Sequence, residues 1–342
     1  VTPQLRISKM FSKSSTHMDH VRPFWFTATT QPKAEALTLT TVLTLDEWDQ
    51  LKRLTEIWQG TSHFCYLARI RREYDASPSL QQYVDLHLVI RPDARHEEFP
   101  IFSTGGMQEA RNLARLFSRS KYFVAMPVTT LWTTNLTNAV EEYKDILDEG
   151  DVLVVPTFAF PRRHNGMIET SWPKEREGII EWVRAGRMGM LDYHWPMNRG
   201  PSSWPEWQEA EEAYLVTEYD FHYNPVYIAT RDDHPWCEER FEDQLSACVY
   251  SMFLAGSDLF VLHDNFIVRT GQEPEDKLTE TERAMQVAFY KNFRIEQCVF
   301  YARQFDQNGL FDTEIASHVK QECAKALGSL QKEKMIGKPH QH

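Results

Sequence analysis

The chain has 342 residues, room for one large domain or two small ones, and its 42% hydrophobic and 13% aromatic content can fill a sizeable core. A net charge of −12 works against nucleic-acid binding, because the phosphate backbone would be repelled overall. No apolar run reaches membrane-spanning length and no signal peptide is visible, so a chain opening on Val1 reads as a mature or trimmed form.

In chain order, residues 1–34 are polar and read as an N-terminal extension, with Phe24, Trp25 and Phe26 packing on the body. Residues 36–43 (ALTLTTVL) read as a buried strand. A helix is expected over 46–58, where Trp48, Leu51, Leu54 and Trp58 fall at helical spacing, followed by strands over 63–68 and 86–90. Gly105 and Gly106 precede a helix over 108–117 whose apolar face is Ala110, Leu113, Ala114 and Phe117. A strand over 122–125, a helix over 138–147 and a strand over 152–155 follow. Strands alternating with helices predict an α/β fold with a mixed, mainly parallel sheet flanked by helices. Such sheets bind nucleotides at the carboxyl ends of their strands, and neither G-x-G-x-x-G nor a P-loop occurs.

Residues 161–222 carry weaker patterns, with helical character over 172–183 and a stretch over 186–207 dense in Trp, Tyr, Pro and Gly. That stretch, with His194, Trp195 and Trp204, is either a wall of an acceptor site or a packed surface loop, since aromatic faces suit both sugar rings and cores. Helical spacing returns over 279–305, and residues 306–342 read as a further helix with a loose polar tail. The five cysteines, Cys65, Cys237, Cys248, Cys298 and Cys323, show no C-x-x-C spacing, which argues against zinc; an odd count leaves one thiol over unless two chains are joined. Asn135-Leu136-Thr137 is a glycosylation sequon. His194, His222, His234 and His263 form no metal-binding pattern, and Ser202 and Ser203 lack a nucleophile-elbow context.

The stretch from Tyr223 to Arg269 organises the rest. Val226 to Ala229 is a short apolar strand, and a turn with Asp232, Asp233, His234 and Pro235 leads to Glu238 and Glu239. The two glutamates are expected to open a helix carrying Phe241, Leu245, Val249 and Met252 on one face and stopping at Gly256. Paired carboxylates there either complement the helix dipole or supply a catalytic base. Leu259 to Leu262 and Phe266 to Val268 are strand-like and end at Arg269.

This stretch resembles the glucuronyltransferase domain of the LARGE-type family, glycosyltransferase family 49. The resemblance rests on Tyr223-Asn224-Pro225, Glu238-Glu239-Arg240-Phe241, Phe260-Val261-Leu262 and Phe266-Ile267-Val268-Arg269, in that order. It extends to residues 43–46, Arg111-Asn112-Leu113-Ala114 and Val154-Val155-Pro156-Thr157-Phe158, and so spans about residues 35–305. It implies a GT-A-like fold over 35–305, a nucleotide-sugar donor of UDP type, a glycan acceptor, and a Golgi or secretory-lumen setting with membrane attachment only through an anchor outside this chain. Family members place a D-x-D motif after the strand matched by 122–125 and a metal-binding His at the position of Arg269. Here the positions are Met126, Val128 and Arg269, so no Mn²⁺ site is expected and no cofactor beyond the donor.

Two readings remain open. The chain is an inverting, metal-independent glycosyltransferase with Glu238 as base, or Glu239 if the register of the turn shifts by one, and Arg269 in place of the metal, or it is an inactive relative that binds a glycan or a partner enzyme. Arg111, Met126, Val128 and Thr129 join Arg269 as the expected diphosphate site, and Trp236 joins the acceptor side. Alternatively, Arg269 simply pairs with Asp264 at the surface.

Overall fold

The computed structural model describes residues 21–43, 47–58, 62–65, 74–89, 107–160, 172–191, 200–239, 245–269 and 280–336. Its strands are β1 (Val21–Phe26), β2 (Leu37–Val42), β3 (Ser62–Cys65), β4 (Val84–Val89), β5 (Tyr122–Ala125), β6 (Thr130–Thr133), β7 (Val152–Val155), β8 (Thr157–Ala159), β9 (Gly189–Met190), β10 (Tyr214–Leu215), β11 (Val226–Thr230), β12 (Leu259–Val261) and β13 (Ile267–Arg269). Among these, nine join in the order β1-β4-β3-β2-β5-β11-β7-β12-β10, with β5 at the centre, and β6-β13-β8-β9 form a second, smaller sheet.

The large sheet is mixed, as expected, but parallel and antiparallel pairings are equally frequent among the described strands rather than mainly parallel. Strands β2, β3, β4, β5, β7 and β12 share one direction, while β1, β10 and β11 oppose them. The reversed β11 lies in the middle, antiparallel to both β5 and β7. A strand buried on both faces is apolar whichever way it runs, so its composition carries no direction.

Side chains alternate across this sheet with the period of two that strands impose. On β5, β7 and β11, Phe123, Val152, Val154, Tyr227 and Ala229 enter one core, and Val124, Leu153, Val155, Val226 and Ile228 enter the other. The second core is closed by helix α1 (Trp48–Ile57) through Trp48, Leu51 and Leu54, and by Leu80 of α2 (Pro78–Tyr83). Helix α3 (Met107–Leu116) covers β2.

The helix expected over 138–147 is two helices, α4 (Leu136–Glu142) and α5 (Lys144–Glu149), and it starts earlier because the Asn135 side chain accepts the Thr137 N–H at 3.1 Å. Helix α6 (Arg176–Arg184) begins later than expected from Trp172, since Trp172 precedes a proline and is steered away from the helical region. Gly178 of α6 sits so close to Pro173 that an added Cβ would fall 2.4 Å from the Pro173 Cβ. Gly178→Ala should therefore lower stability by about 1–3 kcal/mol. An unchanged denaturation midpoint would mean that Pro173 moves aside.

After the short α7 (Trp204–Trp207), helix α8 (Leu245–Ala255) is buried along its whole length except for the half-buried Phe253. It is apolar all round because the sheet lies on one side and α9 (Glu280–Gln307) on the other. Gly256 ends it with φ of 97°, and the Ser257 N–H closes on the Met252 carbonyl at 3.1 Å. Helix α10 (Ser317–Ile336) packs on α9. Within the described residues, β1, assigned above to the N-terminal extension, is hydrogen-bonded to β4, and Phe26 stacks on Tyr74. No helix among the described residues is long and apolar enough to cross a membrane.

Candidate active site

The carboxyl ends of β2 and β5 meet α3 and the segment after β11 around a small cavity. Its lining includes Thr40, Arg111, Asn112, Met126, Pro127 and Cys237, and its volume is about 60 Å³. The Met126 N–H reaches the Thr40 carbonyl at 3.0 Å, which carries the β2–β5 ladder one residue past the strand. A turn over 127–130 follows, closed by both the N–H and the hydroxyl of Thr130 on the Pro127 carbonyl at 3.1 and 2.7 Å.

Residues 231–239 run back along α3. The Arg231 N–H starts this course on the Lys121 carbonyl at 2.8 Å, below β5, and Cys237 reaches the cavity above it. Two side chains of α3 hold the segment. Arg115 donates through Nε to the Arg231 carbonyl at 2.6 Å, through Nη2 to that of His234 at 2.7 Å and through Nη1 to that of Pro235 at 2.9 Å. Its guanidinium also lies under the Trp236 ring, 4.5 Å from the centroid. With 4% exposure Arg115 is buried, which pulls it down to about 10; the Asp232 and Asp233 carboxylates oppose the fall and it stays charged at neutral pH.

One turn earlier, Asn112 grips Cys237 from both sides. It accepts from the Cys237 N–H at 2.9 Å and donates to the Cys237 carbonyl at 2.9 Å. The same amide group donates to Glu239 Oε1 at 2.8 Å. A disulfide from Cys237 to Cys248 ties the upper end of the segment to α8. Glu239 is therefore held by α3, and neither glutamate lies, as expected, on the first turn of a described helix; α8 is described from Leu245, and Phe241 lies outside the described residues.

The other expected site residues divide. Arg111 and Met126 line the cavity, and Trp236 sits beside it on Arg115. Met126 and Val128 are packed into the core beneath, with 2% and 6% exposure. Thr129 is half-buried in the turn, and its hydroxyl has no hydrogen-bond partner among the described residues. Arg269 ends β13, opposite Thr130 of β6 and Ala159 of β8, and is not in the cavity lining. Asp264, the alternative partner for Arg269, instead pairs with His263 at 3.3 Å and Arg176 at 3.9 Å. Trp204, expected on the acceptor side, is 8% exposed and stacks on Trp207 in the core. His194 and Trp195 lie outside the described residues.

By the resemblance, Met126 and Val128 stand at the family's carboxylate positions; both are buried and apolar, and neither side chain offers a metal an oxygen ligand. The residues that sequence reasoning left out are Asn112, quoted only as part of a motif, and Arg115. Their signal was a polar pair at i and i+3 lying on the buried side of a helix.

No curated protein matches the chain. Residues 107–302, more than half of the chain and the part that holds α3, the acidic turn and Arg269, match the family model described as glycosyltransferase for dystroglycan, and the chain belongs to glycosyltransferase family 49.

Proposed function

We propose that this protein is an inverting glycosyltransferase that moves a sugar from a UDP-type donor to a glycan acceptor in the Golgi or secretory lumen, on a GT-A-like fold and without a metal. The observation that carries the reading is the seat of Glu239. Its carboxylate is held by the Asn112 amide, which lines the cavity next to Arg111 at the carboxyl ends of β2 and β5. Inversion needs a carboxylate to take the proton of the acceptor hydroxyl while the diphosphate leaves on the opposite face. We assign this role to Glu239 ahead of Glu238. The family description supports a glycan acceptor of the kind borne by dystroglycan.

The leaving diphosphate needs positive charge. Arg111 lines the cavity, and Arg269, outside that lining, pairs with Thr130 where the 127–130 turn ends; both carry guanidinium groups, which suit phosphate through paired, charge-assisted hydrogen bonds. Activity should then survive excess chelator and gain nothing from Mn²⁺. Arg269→Ala should lose donor affinity and turnover together, and Arg269→Lys should restore little because lysine lacks the planar fork. Transfer abolished by chelator would defeat the metal-free reading.

A second reading, an inactive relative that binds a glycan or a partner enzyme, draws on the burial of Met126 and on a cavity with space for only a few water molecules. Binding of a nucleotide sugar, followed by calorimetry across a donor panel, separates the two. Absence of any donor binding together with glycan binding would favour the inactive relative.

A further inference from the structure

Helices α9 and α10 are held in register by a buried ion pair. Arg294 Nε of α9 donates to Glu322 Oε1 of α10 at 2.9 Å, and Glu322 is buried. One turn beyond Arg294 stands Cys298, and the residue after Glu322 is Cys323. The ion pair thus sets the two cysteines face to face, and the Cys323 thiol donates a hydrogen bond to the Cys298 sulfur. Both are free thiols, Cys298 buried and Cys323 half-buried. From α8, the Tyr250 hydroxyl lies 3.4 Å from the Cys298 sulfur.

These contacts make the two thiols unequal. Donation from Cys323, with a smaller contribution from Tyr250, holds the Cys298 thiol below its ordinary range, and the same bond pushes Cys323 up. Cys298 is therefore the better thiolate, and Cys323 the less buried of the two residues. The chain already closes one disulfide, Cys237–Cys248, which persists only in an oxidising compartment.

We propose that Cys298 and Cys323 are a second disulfide site, closed by exchange with a small-molecule or protein disulfide and stapling α9 to α10. The Cys323 sulfur attacks one sulfur of the external disulfide as its proton passes along the hydrogen bond to the Cys298 thiolate, and the other half leaves as a thiolate that takes up that proton. The Cys298 thiolate then attacks the Cys323 sulfur of the mixed disulfide and expels the second half. Two cysteine thiols are oxidised to one disulfide and the external disulfide is reduced to two thiols, which take up the two protons.

The test uses the full chain equilibrated with oxidised glutathione, then alkylated, digested and mapped by mass spectrometry. The expected result is a cross-linked pair of peptides carrying Cys298 and Cys323, distinct from the Cys237–Cys248 link. Alkylation of both thiols while Cys237–Cys248 is bonded would overturn the proposal, as would pairing of either one with Cys65 or with a second copy. Cys323→Ala supplies a second measurement that spares the buried position. In oxidised glutathione the wild type should melt several degrees above this variant, and the gap should close after reduction. A gap of equal size in both redox states would also overturn it.

Discussion

Glu239→Gln is expected to lower the turnover of glycosyl transfer by roughly two to four orders of magnitude, the usual contribution of a general base, while donor affinity changes little. The amide is isosteric and can keep a hydrogen bond with Asn112, so the segment around Cys237 retains its place and only the proton acceptor is lost. Glu238→Gln should cost much less, because it is Glu239 that the cavity-lining Asn112 holds. Initial rates at saturating donor, together with donor affinity measured by calorimetry, provide the check. Equal losses in the two variants would leave the base unassigned between them, and near-normal turnover in both would remove the carboxylate pair from the mechanism.

The second large effect is expected at Arg115, which lines the same cavity but acts on the segment after β11 rather than on substrate. Arg115→Leu removes three donors from the carbonyls of Arg231, His234 and Pro235 and the cation beneath Trp236. A buried acceptor left unmet costs about 1–3 kcal/mol, so the loss should reach at least about 3 kcal/mol. Arg115→Lys should recover only part of it, since one ammonium cannot match three carbonyls aligned to a planar fork. Chemical denaturation followed by tryptophan fluorescence measures this directly. Asn112→Leu provides the comparison: it should cost less stability, but it frees Glu239 and so should depress turnover more than its stability loss alone accounts for. Wild-type stability in Arg115→Leu would mean that the segment over 231–237 is held by other contacts.

These expectations rest on features that were unequally visible in the sequence. The β5 and β7 bounds and most of the helices follow from apolar periodicity, because burial on one face or both is written into the order of residue types. Of the small second sheet only part of β13 was visible as strand-like; Gly189–Met190 is too short to establish a pattern, and Thr130–Thr133 lacks the continuous apolar run of β7. Glu239 was legible as one of two acidic residues in a motif, but nothing local distinguished it from Glu238. The distinction comes from Asn112, which lies 127 positions away in the chain.

By itself the sequence determined the alternation of strands and helices, the apolar content of both cores, the family pattern around Tyr223–Arg269 and the apolar residue types of Met126 and Val128. All of these are properties of residue type and spacing. The tertiary structure decided the rest: that β11 runs against its two neighbours, that Met126 and Val128 turn inward to the core, that Trp204 packs on Trp207, and that α3 holds the acidic turn through Asn112 and Arg115. Each of these depends on which distant segments meet, and a periodic pattern reports that a side chain is buried without naming what it is buried against.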